Sequence, residues 1–233
     1  MERKYCTAIV LAAGSGKRMG TKIHKQYLLM GGRPVLYYSL KAFQDSPLID
    51  EIILVTGSGE EEYCRKEIVV PYGITKVKKI LAGGAERYNS VWNGLQETEE
   101  GYVFIHDGAR PFVDEEIIER AYECVCGCGA CVAGMPSKDT VKIADSSDTV
   151  QSTPDRNHVW IVQTPQVFDT AIVKKAYGML MEQEKITVTD DAMAVELMTG
   201  NPIRLFRGSY ENIKITTPED LEIAEVFLQR TAG

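Results

Sequence analysis

"LAAGSGKRMG", Leu11 to Gly20, follows an apolar strand that begins at Cys6. Two glycines two apart, directly after β-branched and apolar residues, mark a turn whose backbone can lie against a phosphate. A strand entering such a loop is the usual opening of an α/β fold. Two ligands suit the loop: a dinucleotide cofactor held passively, or a nucleotide whose phosphate is attacked.

Outward from this loop, apolar runs alternate with helical patterns. Pro34 to Gln44 reads as a helix with Pro at its first position, where the missing N–H costs nothing. "EIILVT", Glu51 to Thr56, is a second strand. Ser58 with Glu61 predicts a capping box for the helix that follows. Val77–Leu81, Tyr102–His106 and Ala130–Met135 are further strands, with helices expected over Ala85–Thr98 and, capped by Asp114, over Glu115–Val125. Repeated strand–helix steps imply crossover connections and a doubly wound, mostly parallel sheet with helices on both faces.

The rhythm breaks between Ser137 and Phe168. Thr140–Ile143 and Thr149–Ser152 read as two short strands around a polar turn, a β-hairpin arm at about 137–160. It is too polar for core, so it is expected to pack on a second subunit. Helices then resume, capped by Asp169 and Thr189, the second ending at Gly200. Ile203–Phe206 and Asn212–Ile215 read as short strands, and Thr217-Pro218-Glu219-Asp220 starts the last helix. With no repeat or linker, residues 1–233 are read as one domain plus the arm.

A hydrophobic content of 44% and a charged content of 25% suit a globular chain with a sizeable core. No apolar run approaches the ~18 residues of a membrane helix, and no signal-peptide pattern precedes the first strand, so a cytoplasmic location away from membranes is expected. The net charge of −7 argues against a nucleic-acid partner. Between Glu2 and Asp45 there is no acid but eight bases: Arg3, Lys4, Lys17, Arg18, Lys22, Lys25, Arg33 and Lys41. That asymmetry predicts a local positive field. Of six cysteines, Cys124, Cys126, Cys128 and Cys131 crowd together. The run crosses from a helix end to a strand start, so the four side chains are expected to diverge as apolar filler rather than hold a metal.

Gly14, Gly16 and Gly20 come near the dinucleotide fingerprint. That fingerprint asks for an acid after the second strand, and Val55-Thr56-Gly57 has none. It also has no use for Lys17, Arg18 and Lys25, since backbone N–H groups bind the pyrophosphate. Attack at an α-phosphorus does need cations, because negative charge builds on the phosphate oxygens as pyrophosphate leaves. Arg18 can fork onto two oxygens and Lys25 acts as a point charge. A magnesium ion held mainly by the triphosphate would complete the neutralisation.

The loop followed by Lys25-Gln26-Tyr27 resembles the phosphate loop of the nucleotidyltransferase fold, in its methylerythritol phosphate cytidylyltransferase branch. The likeness continues in order along the chain: Gly83-Gly84-Ala85-Glu86-Arg87-Tyr88-Asn89-Ser90, His106-Asp107-Gly108-Ala109-Arg110-Pro111, Lys138 to Lys142, Pro154 to Asn157, Gln163 to Gln166, Thr189 to Ala192 and Asn212 to Thr216. The resemblance implies a Rossmann-like α/β nucleotidyltransferase fold and transfer of CMP from CTP to methylerythritol phosphate. It implies Arg18 and Lys25 at the transition state, with Arg156 and Lys214 orienting the attacking phosphate. Ala12, Ala13, Gly14, Ser15, Gly16, Gly84, Ala85 and Ser90 would contact CTP, and Asp107 with Gly108 would meet its ribose or, through water, the magnesium. Arg110, Thr140 and Thr164 would serve the sugar phosphate. Thr140 and Arg156 lie on the arm, which by resemblance embraces a second subunit to make a homodimer. His106 is read as a packed strand-end residue, since an ionised phosphate nucleophile needs no base. Asp190 and Asp191 are read as first-turn acids on a helix dipole.

The same fold supports ribitol phosphate cytidylyltransferases, which tend to read LAGG, KQFL and a Val in the strand-end motif where this chain reads LAAG, KQYL and HDGARP. A catalytically idle nucleotide-binding protein is the reading of another class. Its discriminant is the presence here of both Arg18 and Lys25.

Overall fold

Alternate residues of the first strand, β1 (Cys6–Ala12), enter different layers: Ala8, Val10 and Ala12 one, Ile9 the other. The computed structural model describes residues 3–14, 24–183 and 187–231. After β1 come the short strands β2 (Leu29–Met30) and β3 (Arg33–Pro34), helix α1 (Val35–Asp45), β4 (Glu51–Thr56) and α2 (Glu61–Cys64), which continues as a π turn over Arg65–Val69. Then follow β5 (Val77–Ala82), α3 (Arg87–Gln96), β6 (Tyr102–Asp107), α4 (Glu115–Cys128) and β7 (Ala130–Pro136). The hairpin strands are β8 (Ile143–Ala144) and β9 (Val150–Ser152). The chain ends through β10 (Trp160–Asp169), α5 (Thr170–Met181), α6 (Asp191–Thr199), β11 (Arg204–Arg207) and α7 (Pro218–Thr231).

Among the described residues seven strands form one sheet in the order β11-β7-β10-β6-β1-β4-β5. It is parallel except for β10, which runs antiparallel between β6 and β7. The chain moves from β1 out through β4 and β5, then returns to place β6 on the other side of β1. That reversal opens a crevice at the carboxyl ends of β1 and β6, where open α/β sheets hold ligands. One face packs Leu36, Leu40 and Phe43 of α1 and Ile117, Ile118 and Val125 of α4 against Val10, Leu54 and Phe104. The other packs Val91 and Leu95 of α3, Val173 and Tyr177 of α5 and Val195 of α6 against Ile9, Ile53 and Ile105. Each such large side chain, buried in full, contributes about 1.5–3 kcal/mol. A third cluster seats Ala224 of α7 on Met30, Val35 and Ile215.

The α/β sheet follows the sequence reading, and a hairpin forms in the arm with shorter strands, Ile143–Ala144 and Val150–Ser152, than the expected Thr140–Ile143 and Thr149–Ser152. The strand Trp160–Asp169 does not follow that reading: it lies almost wholly in the Ser137–Phe168 stretch that reads as a break in the rhythm, and its Pro165 falls where the pairing with β7 shifts. No strand forms over Asn212–Ile215. Instead Ile215 N–H donates to Ala109 O (2.8 Å), and Arg110 Nη1 donates to Asn212 O (2.7 Å). Ser58 and Glu61 make no capping box; Glu60 precedes α2, and its carboxylate accepts the Gly57 N–H (3.2 Å). Pro34 stands one residue before α1. The cap of α6 is Asp190, not Thr189, with Asp190 Oδ1 accepting from Met193 N–H (2.8 Å).

Three bases of the amino-terminal basic stretch are paired. Arg3 pairs with Asp50, Lys4 with Asp169 and Lys41 with Asp45, all carboxylates beyond the stretch. Lys17, Arg18 and Lys22 lie outside the described residues. The clustered cysteines do not all diverge. The sulfurs of Cys124, Cys128 and Cys131 lie within 4.8 Å of one another, and Cys126 alone is exposed. No helix among the described residues is long and apolar enough to cross a membrane.

Candidate active site

A cleft of about 380 Å3 opens where β1 and β6 end. Leu11 to Gly14, Lys25, Gly84, Ala85 and Arg87 are among the residues that line it. Lys25 begins a short 3-10 turn, and Gln26 ties that turn down by donating its Nε2 hydrogen to Ala12 O. The loop after β5 lies hard against the loop after β1. A Cβ on Gly83 would stand 2.4 Å from Ala13 Cβ and 2.8 Å from Ser90 Oγ, so only glycine allows the approach. Ser90 Oγ accepts from Gly84 N–H (3.1 Å) and donates to Glu86 O (3.3 Å), which fixes this loop to the first turn of α3.

Charges converge on Asp107, the last residue of β6. Its Oδ2 lies 2.7 Å from Lys214 Nζ, and its Oδ1 accepts from Arg87 Nε (3.2 Å). Burial opposes the charge, but Arg87 and Lys214 outweigh it and hold this carboxyl far below the ordinary range. Arg87 forks its other two nitrogens onto Asp191, at 2.7 and 2.8 Å. The Asp191 side chain is 0% exposed and also accepts from Tyr177 O–H (2.5 Å). Burial disfavours the Arg87 cation; the two carboxylates more than offset that and keep it protonated. Arg87 therefore links the cleft to α6 and α5.

Behind Asp107 runs a chain of neutral hydrogen bonds. His106 Nε2 lies 3.1 Å from Arg110 O, an acceptor, so Nε2 carries the hydrogen. Nδ1 then accepts from Thr164 O–H (3.1 Å), whose oxygen accepts the Asp107 N–H (3.1 Å). Burial pulls the His106 pKa down to about 4, so the ring is neutral at pH 7. It is a spacer, not a base.

Of the residues singled out in the sequence, Ala12, Ala13, Gly14, Lys25, Gly84, Ala85, Ser90, Asp107 and Lys214 meet at the cleft. Ser15, Gly16 and Arg18 lie outside the described residues. Gly108 sits behind the lining, where its N–H is used by Leu11 O (2.8 Å). Arg110 and Thr164 lie one layer back, bonded to Asn212 O and to the His106 chain. Thr140 and Arg156 are exposed on the arm. Arg87 and Asp191 were not singled out as site residues. Arg87 stood in a quoted motif, but its partner is 104 positions away, and a first-turn acid gives no local sign of facing inward.

Two glycine-relieved loops, a lysine at each side and a carboxylate pinned by cations, all at the switch point of a doubly wound sheet, define a nucleotide-handling α/β enzyme. The profile of the 2-C-methyl-D-erythritol 4-phosphate cytidylyltransferase family matches residues 6–230. The chain is 53% identical to the enzyme of that name from Lachnospira eligens over 96% of its own length and 99% of the relative's. It is 48% identical to the one from Alkaliphilus metalliredigens, covering 97% and 95%. The crystal structure of 4-diphosphocytidyl-2C-methyl-D-erythritol synthase from Anaerococcus prevotii superposes with a TM-score of 0.85 at 36% identity, covering 97% of both chains. That of the Thermus thermophilus cytidylyltransferase superposes with a TM-score of 0.76 at 30% identity, covering 95% and 98%. The chain belongs to the 2-C-methyl-D-erythritol 4-phosphate cytidylyltransferase family, a group of nucleotidyltransferases.

Proposed function

We propose that this protein transfers CMP from CTP to 2-C-methyl-D-erythritol 4-phosphate, giving 4-diphosphocytidyl-2-C-methyl-D-erythritol and pyrophosphate in non-mevalonate isoprenoid synthesis. A phosphate oxygen of the sugar alcohol bonds to the α-phosphorus of CTP, the bond from that phosphorus to its bridging oxygen breaks, and pyrophosphate leaves. The nucleophile is already ionised at pH 7, which agrees with a buried, neutral His106. The observation that carries the reading is the meeting of Lys25, Lys214 and Asp107 at the glycine loops, in a chain of this family.

Lys25, with Arg18 from the loop, stabilises charge on the α-phosphate in the transition state. Lys214 orients the incoming phosphate while Asp107 holds its ammonium group in place. Ala12 to Gly16, Gly84 and Ala85 seat the CTP, and Ser90 shapes the loop that does so. Asp107 is the one buried carboxylate in the cleft lining, and both its oxygens already face cationic donors. A hard cation such as Mg2+ would be held mainly by the CTP phosphates, Asp107 being the residue that would meet it through water, and would supply charge neutralisation on the triphosphate.

Arg156 and Thr140 complete the sugar-phosphate site from a second protomer. Their side chains have no hydrogen-bond partner among the described residues, and they stand apart from the cleft lining. The arm also exposes Ile143 and Val150, at 51% and 52%, the apolar side chains that a dimer contact would cover. The deciding assay is pyrophosphate release from CTP and magnesium, with methylerythritol phosphate and ribitol phosphate in parallel. Turnover with the first alone is expected; turnover with ribitol phosphate alone overturns the substrate.

A further inference from the structure

Far from the cleft, the end of α4 and the start of β7 bring three sulfurs together. Cys124 and Cys128 stand four residues apart, hence on one face of the helix, with their Sγ atoms 3.9 Å apart. Gly129, at φ 73° and ψ −14°, ends the helix and turns the chain back, its N–H donating to Val125 O (2.8 Å). Cys131 then points into the same apolar layer as Val125. All three Sγ atoms lie within 4.8 Å of one another, and Cys126 is not among them.

We propose that Cys124, Cys128 and Cys131 form a three-sulfur site for one thiophilic d10 dication of the zinc and cadmium class. Zinc–thiolate bonds of about 2.3 Å at tetrahedral angles place neighbouring sulfurs roughly 3.8 Å apart. Cys124 and Cys128 already stand at that spacing, and no pair has to close by more than about 1 Å. A disulfide between them would need nearly 2 Å of closure and an oxidant. Cys131 is fully buried and the other two are half-buried, so the ion enters from the solvent side and a water fills the fourth position. The Cys128 and Cys131 thiols donate to main-chain carbonyls: Cys124 O (3.0 Å) and Ala130 O (3.2 Å) for Cys128, and Ala121 O (3.6 Å) for Cys131. Binding replaces three S–H protons, released to solvent, with one dication, leaving a net charge of −1. Arg204, the partner of Cys131 in the β11–β7 register, offsets it. No electron is transferred.

The site is structural. Phe168 of β10 is level with both Ala130 of β7 and Val103 of β6, so the cysteines lie level with the start of β6 but two strands across from it. Asp107 ends that strand four residues on, roughly 13 Å further along at ~3.3 Å per residue and roughly 10 Å across the sheet. A bound ion staples α4 to β7 and stabilises the folded chain by mass action.

The test uses the whole chain, reduced and chelator-stripped, titrated with Cd2+ and read by sulfur-to-cadmium charge-transfer absorption. One equivalent per chain is expected, unchanged in Cys126→Ser. In the half-exposed double variant Cys124→Ser/Cys128→Ser, binding should weaken by more than the ~100-fold of a lost outer partner. Zn2+ should raise the Tm of the parent chain and leave that of the double variant where it was. Circular dichroism confirms that the variants fold. Absence of the band with excess Cd2+, an equal band in the double variant, or its loss in Cys126→Ser would each overturn the assignment. So would formation of a Cys124–Cys128 disulfide, on exposure to oxidant, while Cd2+ is present.

Discussion

Replacing Arg87 by Met keeps the length of the side chain and removes its charge. Asp191, 0% exposed at the side chain, then has Tyr177 O–H as its remaining donor and no cation. Removing one partner of a buried pair costs about 3–5 kcal/mol, because the other charge stays buried without compensation. In a chain of this size that lowers Tm by roughly 6–20 °C, at ~2–4 °C per kcal/mol. Adding Asp191→Asn removes the orphaned charge and leaves an amide oxygen that still accepts from Tyr177. The double variant should therefore be more stable than Arg87→Met alone. Activity should not return with it, because Asp107 still lacks the Nε donor and keeps only Lys214. Urea melts at constant m-value give the stabilities and pyrophosphate release gives the activity. A cost below about 1 kcal/mol for Arg87→Met, or a double variant no more stable than the single, would refute the buried-pair argument.

Further outcomes are expected. Lys25→Ala should lower kcat by at least ~100-fold with CTP binding largely kept, as for a contact made in the transition state; an unchanged kcat removes Lys25 from that role. Arg156→Ala should raise KM for the sugar phosphate and leave CTP affinity alone. Mixing Arg156→Ala and Lys25→Ala protomers should restore activity if each site borrows the arm of its neighbour, and mixtures no better than either parent would place Arg156 in its own subunit's site. The His106 pKa of about 4 lies below its ordinary value of 6.5, so the unfolded chain binds more protons between those limits. Stability should fall as pH drops from 6.5 to 4, by up to about 3 kcal/mol from this group, and His106→Asn should flatten that slope. Below that window Asp107 adds its own loss, since a depressed carboxyl contributes only while ionised. Gly83→Ala should raise KM for CTP, because its Cβ would fall 2.4 Å from Ala13 Cβ and force the two loops apart.

The strand–loop start at Cys6–Gly14, the order of strands and helices and the arm were legible because periodicity and caps are local signals. Residues gathered by the sheet's carboxyl ends, such as Lys25, Gly84, Asp107 and Lys214, could be anticipated from the motif order. What escaped depends on tertiary placement. β10 carries a proline where a central strand should have none; Pro165 falls in the irregularity between Val162 and Gln166, and pairing on both sides begins at Gln166. Asp191 has the sequence signature of a solvated first-turn acid, and only the arrival of Arg87 and Tyr177 makes it a buried anion. Three of the cysteines converge because Gly129 adopts a left-handed conformation and turns the chain back at the end of α4, where the sequence reading expected divergence.

The place of β10 in the sheet also sets a timetable for synthesis. β6 is finished at Asp107 and β7 at Pro136, yet neither touches the other; each waits for the strand that ends at Asp169. Ribosomes add about 5–20 residues per second, so the edge of β6 stays open for roughly 3–12 s after it emerges. For that interval the nascent chain presents an apolar, unpaired strand edge, the kind of surface that recruits other strands. Closure therefore comes late in translation, when Gln166–Phe168 of β10 pairs with β6 on one side and β7 on the other.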